Sequence, residues 1–587
     1  MGVRRTGRAG SRRSRRNVDR MAPAGAARSR ALAAALGMTA LAAVSPAGGA
    51  GRATAQEAAA PRTAAEGSDY SRTSTTAEVA AFVDSLEAIG APIRVGSMGR
   101  STLGKPLLLV VASDPAVTSP SEAAASGKLV VYLQANIHGG EVEGKEAVQQ
   151  LLRELAGPRR GLLDRLVVLV APVYNPDGND ALGPQERNRR EQQGPAMVGL
   201  RPDGLNLDLN RDYLKAEAPE TRASLARVYD TWDPALMVDL HATDGTHHGY
   251  LLTYSPPLQP DAPPGPLAFV RDSLLPAVRA AMERDHDEPV FVYGNVRDPL
   301  HPEAWTTYAP LAWYGTNYVG MRGRMSVLSE AYSHADFRTR VRATHDFVAE
   351  ILEYAAGHAG RIRELVREAD RRTALEGSGE LPRPELGVRF EPASRGVEPV
   401  RLEVMRPTGD TARGRPALEP TGEIRTVRLP VRDRFAATRT RTLPAGYFLP
   451  AAEGEVAHLL RLHGLSVSEL SSAWTDTVEV FRADSLAWAD REFQGHHLLG
   501  IEGDYVRVER TLPAGTYWVS TAQPLGRLAF VLLEPEGYGL YRWNVFDRLL
   551  GSEEGVLSGL VYGSEAVAAL PVVRAVRPPG VARRELP

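Results

Sequence analysis

Among the 587 residues of this chain, four side chains of metal-binding or acid–base type stand just beyond apolar runs. His138 and Glu141 follow "KLVVYLQ" in "QANIHGGEVEGKEA", His241 closes "ALMVDLH", and Glu330 closes "MSVLSE". The run "VVLVAPVYNPDG" brings Asn175 and Asp177 to an equivalent place. His-x-x-Glu alone is a weak signal, but in an open α/β sheet ligands bind beyond the carboxyl ends of the strands, so independent runs would deliver these groups to one rim. Two histidines and one carboxylate suit a catalytic zinc ion that keeps one position for water. The expectation is one Zn2+ per catalytic domain, held by His138, Glu141 and His241. Glu330 is the expected general base, taking a proton from that water and passing it to the leaving group.

Such a site needs a rigid frame, and the sequence describes one. From about 69 to 356, "PLLLVVAS", "KLVVYLQ", "RLVVLVAPV", "ALMVDL" and "MSVLSE" are short Val- and Leu-rich runs bounded by turn residues, alternating with amphipathic stretches. That pattern predicts an α/β domain, a mostly parallel or mixed central sheet with helices on both faces. "EVEGKEAVQQLLREL" from 141 places Val142, Ala147, Val148, Leu151, Leu152 and Leu155 roughly on one stripe, so Glu141 should lie near a helix N-terminus. A charged helix from 361 is expected to connect, over 357–380, to a mainly β domain at 381–587, with strands including "VRLEVM", "DYVRVER" and "RLAFVLLE". "RTLPAG" occurs there twice, at 441 and 510, each time before an aromatic-containing strand, and reads as one tight turn used twice.

In their order, "NIHGGE", "NPDG", "GLNLDLNRDY", "VDLHATDG" and "SVLSEAY" resemble the zinc carboxypeptidases of the carboxypeptidase A type, also called peptidase family M14. The resemblance spans most of 69–356 and implies that family's fold, a catalytic domain of those bounds, and peptide or protein substrates with a free C-terminus. It agrees on His138, Glu141 and His241 as zinc ligands and on Glu330 as base. It further implies that Asn210 and Arg211 hold the substrate's terminal carboxylate, a task for which a guanidinium fork beside an amide is well shaped. Asp208 would accept the free N–H of the first zinc histidine. Arg189, with Arg187 and Arg190 as rivals, would stabilise the oxyanion. The tyrosine that closes over substrate falls among Tyr308, Tyr314 and Tyr318, with Tyr318 taken here. His247 and His248 lie close to the third ligand, and a hydrogen-bonding loop is the expected role of both.

Composition narrows the remaining choices. The chain has no cysteine, which excludes thiolate ligands, a cysteine nucleophile and a disulfide framework. Ten arginines against one acid in the first 30 residues, then "ALAAALGMTALAAV" and "ATA", predict a cleaved signal peptide over 1–55 and a secreted or periplasmic protein with no membrane span after cleavage. Removing those residues leaves a net charge near -12, a poor match for nucleic acid. Competing functions are a related zinc amidohydrolase, deacylase or cell-wall peptide hydrolase, and a non-catalytic peptide-binding protein.

Overall fold

The five apolar runs become five neighbouring strands of one eight-stranded sheet in the computed structural model, which describes residues 60–412, 415–550 and 568–586. The expected signal peptide lies outside the described residues. The strands are β1 (Ile93–Arg100), β2 (Pro106–Ala112), β3 (Leu129–Ala135), β4 (Leu166–Ala171), β5 (Leu236–Ala242), β6 (Leu252–Ser255), β7 (Val290–Val292) and β8 (Met325–Ala331). Their order across the sheet is β1-β2-β4-β3-β5-β8-β6-β7. Strands β4, β3, β5 and β8 run parallel at the centre, while β1, β2 and the β8–β6 pair add antiparallel contacts, so the sheet is mixed.

The runs are apolar without alternation because both faces are covered. Along β3, Val131, Leu133 and Ala135 enter one core while Tyr132 enters the other; β4 divides Val168 and Val170 from Val167 and Leu169 in the same way. Helix α1 (Thr76–Ala88), α2 (Glu143–Leu155), α4 (Phe337–Gly357) and α5 (Ala359–Ser378) supply the first core, through Phe82, Leu151, Leu152, Phe347, Ile351 and Ile362 among others. The short α3 (Gly315–Met321) supplies Tyr318 and Val319 to the second. That second core continues into Tyr447, Phe481, Leu528 and Trp543 of the C-terminal region, and the described residues of both regions pack as one compact unit.

The C-terminal region is rich in β structure. A long hairpin, β9 (Val397–Ala412) and β10 (Arg415–Arg432), precedes a seven-stranded sheet that contains β11 (Trp474–Trp488) and β12 (Leu499–Leu512). The two strands that follow "RTLPAG" pair with each other antiparallel, Tyr447 opposite Val519. "RLAFVLLE", read as a strand, is instead a helix over Gly526–Leu533. Nearly every residue of it is buried, so its apolar run carries no period to separate helix from strand. Among the described residues no helix is long and apolar enough to cross a membrane.

Candidate metal centre

Parallel pairing sets the carboxyl ends of the central strands on one edge. Glu330 of β8 stands directly opposite His241 of β5, and β5 is paired on its other side with β3, whose chain runs on into His138. Beyond Ala135 the backbone turns sharply: Asn136 takes φ 60°, and its Nδ2 donates to the carbonyls of His138, Gly139 and Glu141 at 3.2, 3.4 and 2.9 Å. Gly139 is needed because a Cβ there would lie 2.2 Å from the carbonyl carbon of Gly178. Glu141 precedes α2 by two residues, as expected, and the first turn of that helix carries Glu143 and Glu146.

His138, Glu141 and His241 are all buried and bring one donor atom each within 4.8 Å of one another. The Nδ1 atoms of the two histidines are 3.2 Å apart, each 2.9 Å from a different oxygen of Glu141. Their far nitrogens face acids. His138 Nε2 is 2.9 Å from Asp208 Oδ1, and His241 Nε2 is 3.0 Å from Asp239 Oδ2. Acceptors behind each ring place the N–H on Nε2 and leave both Nδ1 lone pairs aimed at the same point as a carboxylate. Two converging lone pairs and an anion in a buried place are mutually repulsive until a cation sits between them, so the residues fit a divalent metal, and this donor set suits zinc.

Charges around the set keep its acids ionised. Burial opposes ionisation of Glu141, but a protonated His138 and then Arg189 hold its carboxyl well below the usual range; a metal bound to the Nδ1 lone pairs would supply that positive charge in place of the proton. Asp208 is likewise buried and likewise held low, by His138 and then Arg201 and Arg211. Glu330 differs: burial pushes it up to about 8, with His241 opposing and Glu141 and Asp244 adding to the rise. A carboxyl poised near neutrality beside a metal set is suited to exchanging protons.

A cavity of about 430 Å3 opens over these groups and is lined by His138, Glu141, His241 and Glu330, with Asn210 and Arg211. Asn210 is fixed by its Oδ1, which accepts from Gly315 N at 2.9 Å. Arg211 donates through Nη1 to the Asn210 carbonyl and lies 4.5 Å above the ring of Tyr314. Arg189 also lines the cavity, with all three of its nitrogens engaged by Gln192, Glu141 and the carbonyls of Ala242 and Thr243. Its rivals Arg187 and Arg190 do not line the cavity, whereas Arg201, ten residues before Arg211, does. Arg201 stands outside the arginine-rich "ERNRREQQ" segment, and only folding sets it against Glu141 and Asp208.

Two further expectations are corrected. Tyr318 is fully buried beneath the sheet, its hydroxyl 2.8 Å from His463 Nδ1, and it cannot face substrate; α3 is buried on all sides, and its Tyr318 packs into the second core. Tyr308 and Tyr314 line the cavity, as does Tyr293, which the sequence did not single out. Asn175 and Asp177 do not reach the cavity. Asn175 braces the NPDG turn by accepting from Gly178 N and donating to the Ile137 carbonyl, and Asp177 receives Ser101 and the Leu103 N–H. His247 and His248 are bonding residues of a loop: His247 meets Glu403 of β9 at 3.0 Å, and His248 is buried next to Tyr332.

Residues 79–246 match the family model described as zinc carboxypeptidase, which makes this enzyme a zinc metallopeptidase, a hydrolase. The matched span holds His138, Glu141, Asn210, Arg211 and His241 and ends before Glu330. Carboxypeptidase 2 of Trichophyton equinum is 25% identical over 471 residues, covering 73% of this chain and 76% of the relative. Carboxypeptidase 2 of Trichophyton rubrum is 24% identical over 476 residues, covering 76% and 79%. The solved metallo-carboxypeptidase from Burkholderia cenocepacia aligns with 48% of this chain and 70% of its own, at TM-score 0.36 and 17% identity. Residues 79–246 thus carry a zinc carboxypeptidase domain.

Proposed function

We propose that the protein removes C-terminal residues from peptides, with His138, Glu141 and His241 holding the zinc ion. The observation that carries this reading is the placement of Asn210 and Arg211 in the same cavity as the three donors and Glu330. A guanidinium beside an amide in the cavity selects a chain end over a chain middle because only the end offers a carboxylate. Bound by the three donors, zinc supplies a Lewis acid that lowers the pKa of water and polarises the scissile carbonyl. Glu330 takes a proton on its carboxylate from the attacking water and delivers it to the departing amine nitrogen. Arg201 donates to the oxygen on which negative charge gathers; its side chain lines the cavity, 42% exposed, anchored on Asp208 with a longer contact to Glu141, whereas all three nitrogens of Arg189 are already engaged. Asp208 keeps His138 in the tautomer whose Nδ1 is free. Tyr308 and Tyr314 are the candidates for contact with the bound residue.

We further propose export, on the strength of the arginine-rich start and the apolar run that follows it. N-terminal sequencing of the protein recovered outside the cytoplasm tests that step. For the activity, a mixed peptide pool is incubated with the purified enzyme, with and without a chelator, and followed by mass spectrometry. Chelator-sensitive ladders losing one C-terminal residue at a time are expected; loss of N-terminal residues, or internal cuts alone, would refute the reading.

A further inference from the structure

The connection between β11 and β12 ends in a two-residue turn, Gln494-Gly495, closed by paired hydrogen bonds between Phe493 and His496: N to O 2.8 Å one way and 3.1 Å the other. Both turn residues have positive φ, 55° and 79°. That is the backbone of a type I′ hairpin turn, where Asn, Asp or Gly is strongly preferred at the first position. Glutamine gains nothing locally from a left-handed conformation, and a departure from turn chemistry points to a role elsewhere.

The side chain shows what that role is. Gln494 Oε1 accepts the backbone N–H of Asp208 at 2.6 Å. Asp208 in turn receives His138 Nε2 and Asn210 N on Oδ1 and Arg201 Nε on Oδ2. The turn is held against the catalytic region on both sides of Gln494. His496 Nε2 is 2.9 Å from Glu217 Oε1, its Nδ1 is 3.2 Å from Asn544 Oδ1, and the Phe493 ring packs near Trp313 and Trp543.

We propose that Gln494 is a positioning residue for the metal centre, supplied by the C-terminal β region. By fixing the backbone of Asp208 it fixes the carboxylate that orients His138. This rests on the reading of Asp208 and His138 given above. A groups-of-ligands view that stops at the catalytic domain would leave Gln494 out, although it is one hydrogen bond from Asp208 and two from a ligand.

Length is the lever for a test. Asparagine is the better residue for this turn but is one methylene too short to reach Asp208 N, and methionine matches glutamine in length without an acceptor. Gln494→Asn, Gln494→Met and Asp208→Ala are each prepared in the full chain. Zinc affinity is read by competition with a chromogenic chelator, and the melting temperature of the zinc-free protein is read alongside. Removal of an outer partner of a metal histidine typically costs about 10- to 100-fold in affinity, which is the expectation for Asp208→Ala. Gln494 acts one bond further out, so a loss of roughly 3- to 10-fold is expected for both of its variants. The zinc-free melting temperature should hold, and should not fall for Gln494→Asn, whose turn is relieved. Affinity within twofold of wild type in both Gln494 variants while Asp208→Ala is impaired would overturn the proposal alone. Unimpaired affinity in Asp208→Ala would overturn the underlying assignment of Asp208. Loss of affinity matched by a lower zinc-free melting temperature in Gln494→Asn would make the turn a mere brace and also overturn the proposal.

Discussion

Replacing Arg211 by alanine separates recognition of a chain end from the rest of catalysis. In the structure the guanidinium makes one hydrogen bond, from Nη1 to the neighbouring Asn210 carbonyl, and rests 4.5 Å over the Tyr314 ring. Asp208 Oδ2 lies 3.8 Å from Nη1, too far for a hydrogen bond but near enough to hold the charge in place. Nε and Nη2 have no hydrogen-bond partner among the described residues, and Arg211 lines the cavity, so a substrate carboxylate can take two parallel bonds from this fork. Each hydrogen bond to a charged group contributes about 1.5–3 kcal/mol, so losing the fork should cost roughly 3–6 kcal/mol, or about 10²- to 10⁴-fold in kcat/KM. The assay uses one N-blocked peptide in two forms, with a free C-terminal carboxylate and with a C-terminal amide. Wild-type enzyme should prefer the acid by about that factor, and Arg211→Ala should erase the preference while changing hydrolysis of the amide only a few-fold. Equal losses on both substrates would refute the argument, because they would mean that Arg211 supports the site without reading the carboxylate.

Glu330→Gln should lower kcat by about 10²- to 10⁴-fold while leaving zinc stoichiometry, measured by elemental analysis, at the wild-type value; loss of the metal would instead place Glu330 among the ligands. Arg340→Met should destabilise the fold by about 3–5 kcal/mol in urea unfolding. Its buried guanidinium meets Glu143 at 3.2 Å and the carbonyls of Gln193, Gly194 and Ala335 at 2.6–2.8 Å, so removal strands an acid and three acceptors. A cost under about 1 kcal/mol would contradict that reading. Glu220→Gln should raise the melting temperature increasingly with pH. Burial lifts Glu220 from 4.5 to about 7, so above 4.5 the unfolded chain releases a proton that the folded chain keeps. Stability from this group is complete below 4.5 and lost towards 7, by at most about 3 kcal/mol, and glutamine escapes the loss. A gap between variant and wild type that does not change from pH 4.5 to 7 would show that Glu220 is not buried as a neutral acid.

The metal set was legible because strand ends are legible. "KLVVYLQ", "ALMVDLH" and "MSVLSE" are apolar on both faces, which only parallel central strands require, and parallel strands put their carboxyl ends on one edge. His138, His241 and Glu330 could therefore be grouped before any distance was known. Arg201 and Tyr293 could not, since they reach the cavity from loops whose paths depend on tertiary contacts such as Arg201 with Asp208. Tyr318 misled for a related reason: three tyrosines within eleven residues look alike in sequence, and which one faces inward is set by the orientation of a seven-residue helix. The helix at Gly526–Leu533 was misread because it is buried all round, so the period that normally marks a helix is missing.

The C-terminal region meets the catalytic region at two places that matter for the cleft. On one side β9 brings Glu403 to His247, and the Arg401 carbonyl accepts from Gly249 N at 3.0 Å, so the loop after His241 is fastened from outside. On the other, the Gln494 turn fastens Asp208 behind His138. Both of the segments that carry a histidine of the proposed metal set or its partner are thus tied to residues some 150 to 290 positions later in sequence. A loop end held from one side keeps freedom to rotate a side chain by more than the few tenths of an ångström that metal coordination tolerates, and a second fastening removes it. The sharing of one hydrophobic core between the regions has the same consequence, because Tyr213 and Tyr229 under the sheet pack in the cluster that contains Leu460, Leu528 and Trp543. The β structure is therefore joined to the segments around the centre through the Glu403 side chain, the Arg401 carbonyl, Gln494 and a shared core, and none of these contacts requires a catalytic motif in its sequence.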